Sequence, residues 1–348
     1  MPDLLVFAVI LSVLIIGHEA GHFLAAKFFK IKVMEFGLGY PPRLLTLFNF
    51  RETAFTLNWI PFGGFVRIAG EDDPTVEGGL SNASKLIRSV ILIAGPAANI
   101  LLAILAFTLA FRFAAPDIEK VLITEVAPGS PAEAAGIMEN DLITYVNDTE
   151  ITGILTMQQS ISSTLDENTT IEVVRNGETI EFTLVPRSNP PEGEGAIGVV
   201  LGNPLSESTW PDAFVSGLDA TWFQVDQLIH LPGMLLRGEV SSEEARITGL
   251  KGMYDMVVWA GEIDQENQRP FLTLTLIGVI SIGFAIANLL PFPALDGGRL
   301  FFIVIELFIG KRIPAEFEGM AHAVGFIILM GLLVYVNLQD IINPIALP

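Results

Sequence analysis

Four long apolar runs constrain this chain more than any other feature. A helix needs about 20 predominantly apolar residues to cross a bilayer, and residues 4–29, 86–113, 271–290 and 321–336 meet or approach that length, the last being the shortest. Hydrocarbon offers no water to the backbone, so such runs must be helices that satisfy their own hydrogen bonds. Of the 348 residues, 51% are hydrophobic and 17% charged, the balance of a membrane protein. The first run has no basic residue ahead of it and continues through His18, Glu19 and His22 without a cleavage site, so it reads as a retained span and not as a signal peptide.

The formal net charge of -20 is uneven. Residues 117–269 carry 26 acidic and 7 basic side chains, which marks a solvated segment that repels nucleic acid and anionic lipid. The first loop and its flanks hold Lys27, Lys30, Lys32, Arg43, Arg51, Arg67, Lys85 and Arg88, and the loop before the fourth run holds Lys311 and Arg312 near Arg299. Basic short loops stay in the cytoplasm. Both termini and the acidic segment are therefore expected outside, in a multi-pass topology.

The predicted fold is a polytopic α-helical membrane protein of about four transmembrane helices with an inserted extracytoplasmic α+β domain. Residues 1–113 and 270–348 form the two halves of the membrane core, 114–203 the inserted domain, and 204–269 an amphipathic helical segment with Trp222, Val225, Leu228 and Ile229 on one face. In the first loop, the alternation of residues 54–60, interrupted by Pro61, Gly63 and Gly64 before Phe65-Val66-Arg67-Ile68, predicts a β-hairpin at the membrane surface. The inserted domain shows strand-like runs at 121–126, 142–147, 170–175 and 180–185, around a short helix led by Ser130-Pro131-Ala132-Glu133.

There are no cysteines and only four histidines, so a metal can be held only by His, Asp or Glu. Two of the four lie in His18-Glu19-Ala20-Gly21-His22, where helical spacing turns both rings to one side and sets a carboxylate beside them. That pattern suits a single zinc and a general base. Two histidines packed in a helix bundle are the alternative, but burying two imidazoles and a carboxylate in an apolar span is expensive without a function. A catalytic zinc takes three protein ligands and keeps one position open. Topology disfavours His230 and His322, whereas Asp296 follows a helix break made by Pro291, Pro293, Gly297 and Gly298, on the same expected side as His22. Alone, Asp296 reads equally as a helix cap before a turn. Gly95 and Asn99, four apart in the second run, fit ordinary helix packing as well as a role in core support. Gly195-Ala196-Ile197-Gly198 is by itself a turn before a strand.

These motifs together resemble the bacterial site-2 proteases of the RseP/RasP type, over nearly the whole length. The resemblance rests on His18 through His22, Pro61-Phe62-Gly63-Gly64-Phe65-Val66, Gly95-Pro96-Ala97-Ala98-Asn99, and Asn288 through Gly298, which includes Pro291, Pro293 and Asp296. Val126-Ala127-Pro128-Gly129-Ser130-Pro131-Ala132 with Ala135-Gly136-Ile137 resembles a circularly permuted PDZ domain, with room for one such module and not two; residues 241–252 match only weakly. The resemblance implies an intramembrane metalloprotease with one zinc ion bound by His18, His22 and Asp296, and with Glu19 as general base. It implies that Asn288 contacts substrate backbone, that the hairpin residues Thr53, Ala54, Phe55, Thr56, Leu57 and Asn58 pair with substrate as an added strand, and that Gly195, Ile197 and Gly198 form a peptide-capturing loop. Implied substrates are transmembrane segments of other proteins, such as anti-sigma factors or signal-peptide remnants, trimmed beforehand by another protease. Two rival readings are a metal transporter, disfavoured because the halves show no repeat, and an inactive scaffold, which has no need of Glu19.

Overall fold

The first apolar run folds as α1 (Asp3–Phe28), whose last turn carries Lys27, a cation suited to the negative end of the helix dipole. The computed structural model describes residues 3–71, 73, 75–241 and 246–345. Pro61 and Phe62 are described in backbone only, and residues 242–245 of the weakly matching 241–252 stretch lie outside the described residues. Residues 1–112 with 209–348 form one unit and residues 113–208 another.

After α1 come two long strands, β1 (Val33–Phe50) and β2 (Thr53–Ile68), and each is used twice. Phe36 pairs with Val66 on one side and Phe55 on the other, Gly37 with Phe65 and Thr56, and Leu38 with Gly64 and Leu57. Thr56 and Leu57 pair in addition with Thr46 and Leu45. The expected hairpin is thus an antiparallel sheet of four segments, in the order 64–68, 33–38, 54–57, 45–50. The 53–58 segment runs through its interior, with Thr53, Thr56 and Asn58 buried. Residues 54–57 are paired on both sides, which corrects the expectation that substrate adds to this segment as a strand.

A buried carboxylate fixes that register. Glu35 is 4% exposed and accepts from Thr56 Oγ1 at 2.8 Å, Arg43 Nη2 at 2.7 Å and Arg67 Nη2 at 2.5 Å. Arg43 lies in the outer half of β1 and Arg67 at the end of β2, so the cluster ties all parts of the sheet to one point. Burial pushes the Glu35 carboxyl up, but the hydrogen bonds from Thr56 and Arg43 and the charges of Arg67 and Arg43 outweigh it and hold it below the ordinary carboxylate range.

Helix α2 (Lys85–Ala114) follows, with Pro96 inside it. In the second unit, β3 (Ala115–Pro116) pairs with the later β10 (Leu205–Ser206) where the chain enters and leaves. Between them lie β4 (Val121–Val126), α3 (Pro131–Ala135), β5 (Leu142–Val146), β6 (Thr149–Glu150), α4 (Ile154–Ser162), β7 (Thr169–Arg175), β8 (Glu178–Leu184) and β9 (Val199–Gly202). The sheet order is β8-β7-β5-β4-β9, with β6 on β5. Ile123, Ile143, Met157 and Ile171 form its core. Ser130 caps α3 by accepting from the Glu133 N–H, as its position before Pro131 predicts.

In the first unit, α5 (Trp210–Arg237) packs Ala220, Val225 and Leu228 against Phe107 of α2 and Ile282 of α7 (Phe271–Leu289). Trp222 and Ile229, expected on that face, are exposed instead. Helix α6 (Leu250–Glu266) begins at Asp340 of α9 (Ala315–Ile342), whose Oδ2 accepts from the Gly249 N–H at 2.8 Å and the Gly252 N–H at 3.1 Å. Among the described residues, four helices, α1, α2, α7 and α9, are long and apolar enough to span a membrane. Helix α8 (Asp296–Ile309), absent from the sequence reading, is only 14 residues, about 21 Å long and too short to span. It is tied to α2 by the buried pair Arg88 Nη1–Glu306 Oε2 at 2.8 Å.

The Glu35 cluster generates a test. Because its pKa is lowered in the fold, its stabilisation is present above the ordinary carboxylate range and is lost as pH falls through the folded value. Glu35→Gln should cost about 1–3 kcal/mol of sheet stability at neutral pH, read as faster tryptic cleavage at Arg43 and Arg51 in the solubilised protein. Wild type should approach the variant's cleavage pattern only in acid, probed there with an acid-active protease. Equal cleavage of the two proteins at neutral pH contradicts the assignment.

Candidate metal centre

His18 and His22 sit one helical turn apart on α1, and Asp296 is the first residue of α8. His18 Nε2 and His22 Nε2 are 3.1 Å apart, and Asp296 Oδ2 lies 3.1 Å from the first and 3.3 Å from the second. These are the only His/Asp/Glu side chains among the described residues that converge in this way. All three are largely buried, with side chains 12%, 11% and 18% exposed.

The donor set fits zinc. A tetrahedral ion with ligands at about 2.0–2.1 Å spaces them roughly 3.3 Å apart, which is the spacing these atoms have. His22 Nδ1 lies 2.8 Å from the Ile91 carbonyl oxygen and donates to it, so His22 Nε2 carries a lone pair toward the other two atoms. His22 Nε2 and Asp296 Oδ2 are thus two acceptors 3.3 Å apart, an arrangement that calls for a cation or a shared proton between them. Pro96, inside α2, has no N–H for the Leu92 carbonyl, which adjoins Ile91.

Close helix packing makes the convergence possible. A Cβ on Gly21 would strike the Ala94 carbonyl of α2, and one on Gly95 would strike the rings of His22 and His18. Gly95 therefore borders the centre itself, beyond the packing role that its sequence spacing suggests.

Asp296 is presented by the irregular 290–295 turn, where the Phe292 N–H donates to the Leu290 carbonyl at 2.7 Å and Ala294 takes a φ of 82°. The Ala294 N–H donates to His322 Nδ1 at 2.7 Å. His322 is thus no part of the donor set but holds a left-handed residue two positions before Asp296. Sequence reasoning missed this role, since a ring that binds backbone leaves no spacing signature.

Glu19 is outside the converging set and meets the sheet, where the Val66 N–H donates to its carboxylate. Its Cγ lies close to Gly64. The segment beside Glu19 is therefore 64–68, which pairs only with 33–38 among the described residues and presents its other edge. The 53–58 residues are not at this edge. Asn288 stands on the last turn of α7 and donates to the Phe284 carbonyl at 3.0 Å, a bond within its own helix. Pro291 and Pro293 lie in the turn before Asp296, and Gly325 of α9 packs on Pro293. Gly195, Ile197 and Gly198 belong to the second unit, in a turn closed by the Gly198 N–H to the Gly195 carbonyl at 3.0 Å.

The sequence matches peptidase family M50 over residues 6–332. A Clostridium perfringens (strain 13 / Type A) protein named as a zinc metalloprotease is 30% identical over 98% of this chain and 99% of its own length. The zinc metalloprotease RasP of Oceanobacillus iheyensis is 28% identical over 98% of this chain and 99% of its own. That of Geobacillus kaustophilus is 26% identical over 98% of each. With that agreement along almost all of its length, this chain belongs to peptidase family M50, the site-2 proteases.

Proposed function

We propose that the chain hydrolyses peptide bonds within transmembrane segments of other membrane proteins, with one zinc ion held by His18, His22 and Asp296 and with Glu19 as general base. That it is a zinc metalloprotease of the membrane follows from its family, from the names of its relatives and from its four apolar helices. The observation that carries the residue assignment is the convergence of three buried donors at 3.1–3.3 Å, with a second carboxylate, Glu19, next to His18 in sequence and outside the set. Zinc, when bound, polarises the scissile carbonyl and acidifies water. Glu19, its carboxylate held by the Val66 N–H, would take the proton from the attacking water and pass it to the leaving amine. Asn288, at the end of α7, is proposed to contact the unwound substrate.

A transmembrane helix hides its carbonyls in hydrogen bonds, so substrate must be drawn out as an extended strand before attack. The 64–68 edge, next to Glu19, is the segment we propose it joins, in place of the interior residues 53–58. Residues 121–202 are read as a single PDZ-like module that selects substrates and takes no part in the chemistry. A groove of about 570 Å³ between α4 and the edge strand β9, lined by Met157, Ile161, Leu165, Ile197 and Leu201, supports that reading. The Lys and Arg count supports an extracytoplasmic module and an active site near the cytoplasmic face, and the family points to a bacterial inner membrane. A folded module on the outer side would exclude substrates not yet trimmed.

Three outcomes test this account. Glu19→Gln should keep one zinc per chain and lose roughly 10²–10⁴-fold in cleavage rate, while Asp296→Asn should lose zinc as well; full activity of purified Glu19→Gln sinks the mechanism. In a substrate with single backbone amide-to-ester replacements around the cut bond, every second replacement should slow cleavage about fivefold, from about 1 kcal/mol per lost hydrogen bond. A flat profile argues against strand addition. Replacing residues 121–202 with a Gly/Ser linker should preserve cleavage of a trimmed substrate and increase cleavage of its untrimmed parent. A folded, zinc-loaded deletion that cuts neither contradicts the filter.

A further inference from the structure

The two histidines are not held alike. His22 is fixed through Nδ1 by the Ile91 carbonyl, while His18 Nδ1 meets, among the described residues, the Asn99 amide, with Nδ2 at 3.5 Å. Asn99 is fully buried, and its Oδ1 has no hydrogen-bond partner. Its backbone is pinned as well, because Ser281 Oγ of α7 donates to the Asn99 carbonyl at 2.7 Å. A buried side-chain acceptor without a donor costs about 1–3 kcal/mol, so such an atom in the wall of a site calls for an account.

An asparagine amide can turn either end to a neighbour with almost no change of shape. With Nδ2 toward the ring, His18 Nδ1 must accept, its proton moves to Nε2, and Nε2 cannot serve as a ligand to the ion shared with His22 and Asp296. Oδ1 stays orphaned. With Oδ1 toward the ring, Nδ1–H donates to it, the orphan is satisfied, and Nε2 presents its lone pair to the shared centre. One rotation resolves both faults.

We infer that Asn99 is the positioning residue of His18, its Oδ1 accepting from Nδ1–H and fixing the ring in the tautomer and orientation that binds metal through Nε2. The inference rests on the proposed zinc site. Helix α2 then orients both histidines, through a main-chain carbonyl for His22 and a side-chain carbonyl for His18, eight residues apart on the same helix. Gly95, between them, is the position at which a side chain would collide with the rings.

The test measures zinc affinity by chelator competition on the detergent-purified full chain, with thermal unfolding of the metal-free protein as the control for packing. Asn99→Leu, of similar size but with no acceptor, should weaken zinc binding roughly 10–100-fold. Asn99→Ser, too short to reach the ring, should do the same and stands in if the leucine variant does not fold. Asn99→Asp, which restores an acceptor for Nδ1–H, should stay within about threefold of wild type. Wild-type affinity in the leucine and serine variants, or an aspartate variant as weak as those two, overturns the assignment. A wild-type chain that holds no zinc, or a His18→Ala variant that binds it as tightly as wild type, overturns the metal site on which the inference stands.

Discussion

Everything in the membrane core answers to the cost of keeping two imidazoles and a carboxylate together among apolar helices. Ionisable groups in that environment are stable only when paired or bound to a metal. His18 and His22 come from one turn of α1, but Asp296 stands 278 residues further along the chain from His18. The protein must therefore bring two distant segments to within 3.1–3.3 Å and hold them. Small residues let α1 and α2 approach, and the broken backbone before α8 turns Asp296 inward. His322 secures the strained residue in that break, and α2 supplies carbonyls to the outer nitrogens of the rings.

The surface sheet solves a second problem at the same point. A base placed beside the metal donors would compete to bind the ion if it were free to rotate. Glu19 is drawn instead toward the Val66 N–H, at an edge with hydrogen-bonding capacity to spare. The edge that meets the proposed base is also the one proposed to receive an extended peptide. The Glu35 cluster, one strand inward, keeps that edge in register.

The residues of the centre were legible because their chemistry is local or rare. Helical spacing puts His18 and His22 on one side whatever the rest of the chain does, and Asp296 follows a proline-rich break where no apolar span should need a carboxylate. The sheet was legible only in part. Alternation showed at 54–60, but Gly37, Gly39 and the Pro41-Pro42 pair mask the strands before it, and whether a strand lies inside or at the edge is decided by pairing, not by its own residues. Helix α8 escaped notice because its 14 residues fall between the lengths of a loop and a span. Ile91 and Val66 act through backbone atoms, which every residue carries, and the His322 ring binds a backbone N–H, so no pattern of side chains could announce them.

The central claim concerns which atoms hold the ion, and zinc K-edge X-ray absorption on the purified, zinc-loaded chain addresses it most directly. With four histidines and no cysteine in the sequence, the spectrum has few ways to be right. The account predicts two imidazole nitrogens per zinc at about 2.0–2.1 Å, with the remaining scattering from oxygen. A zinc site with no imidazole, with one, or with three or more would contradict it.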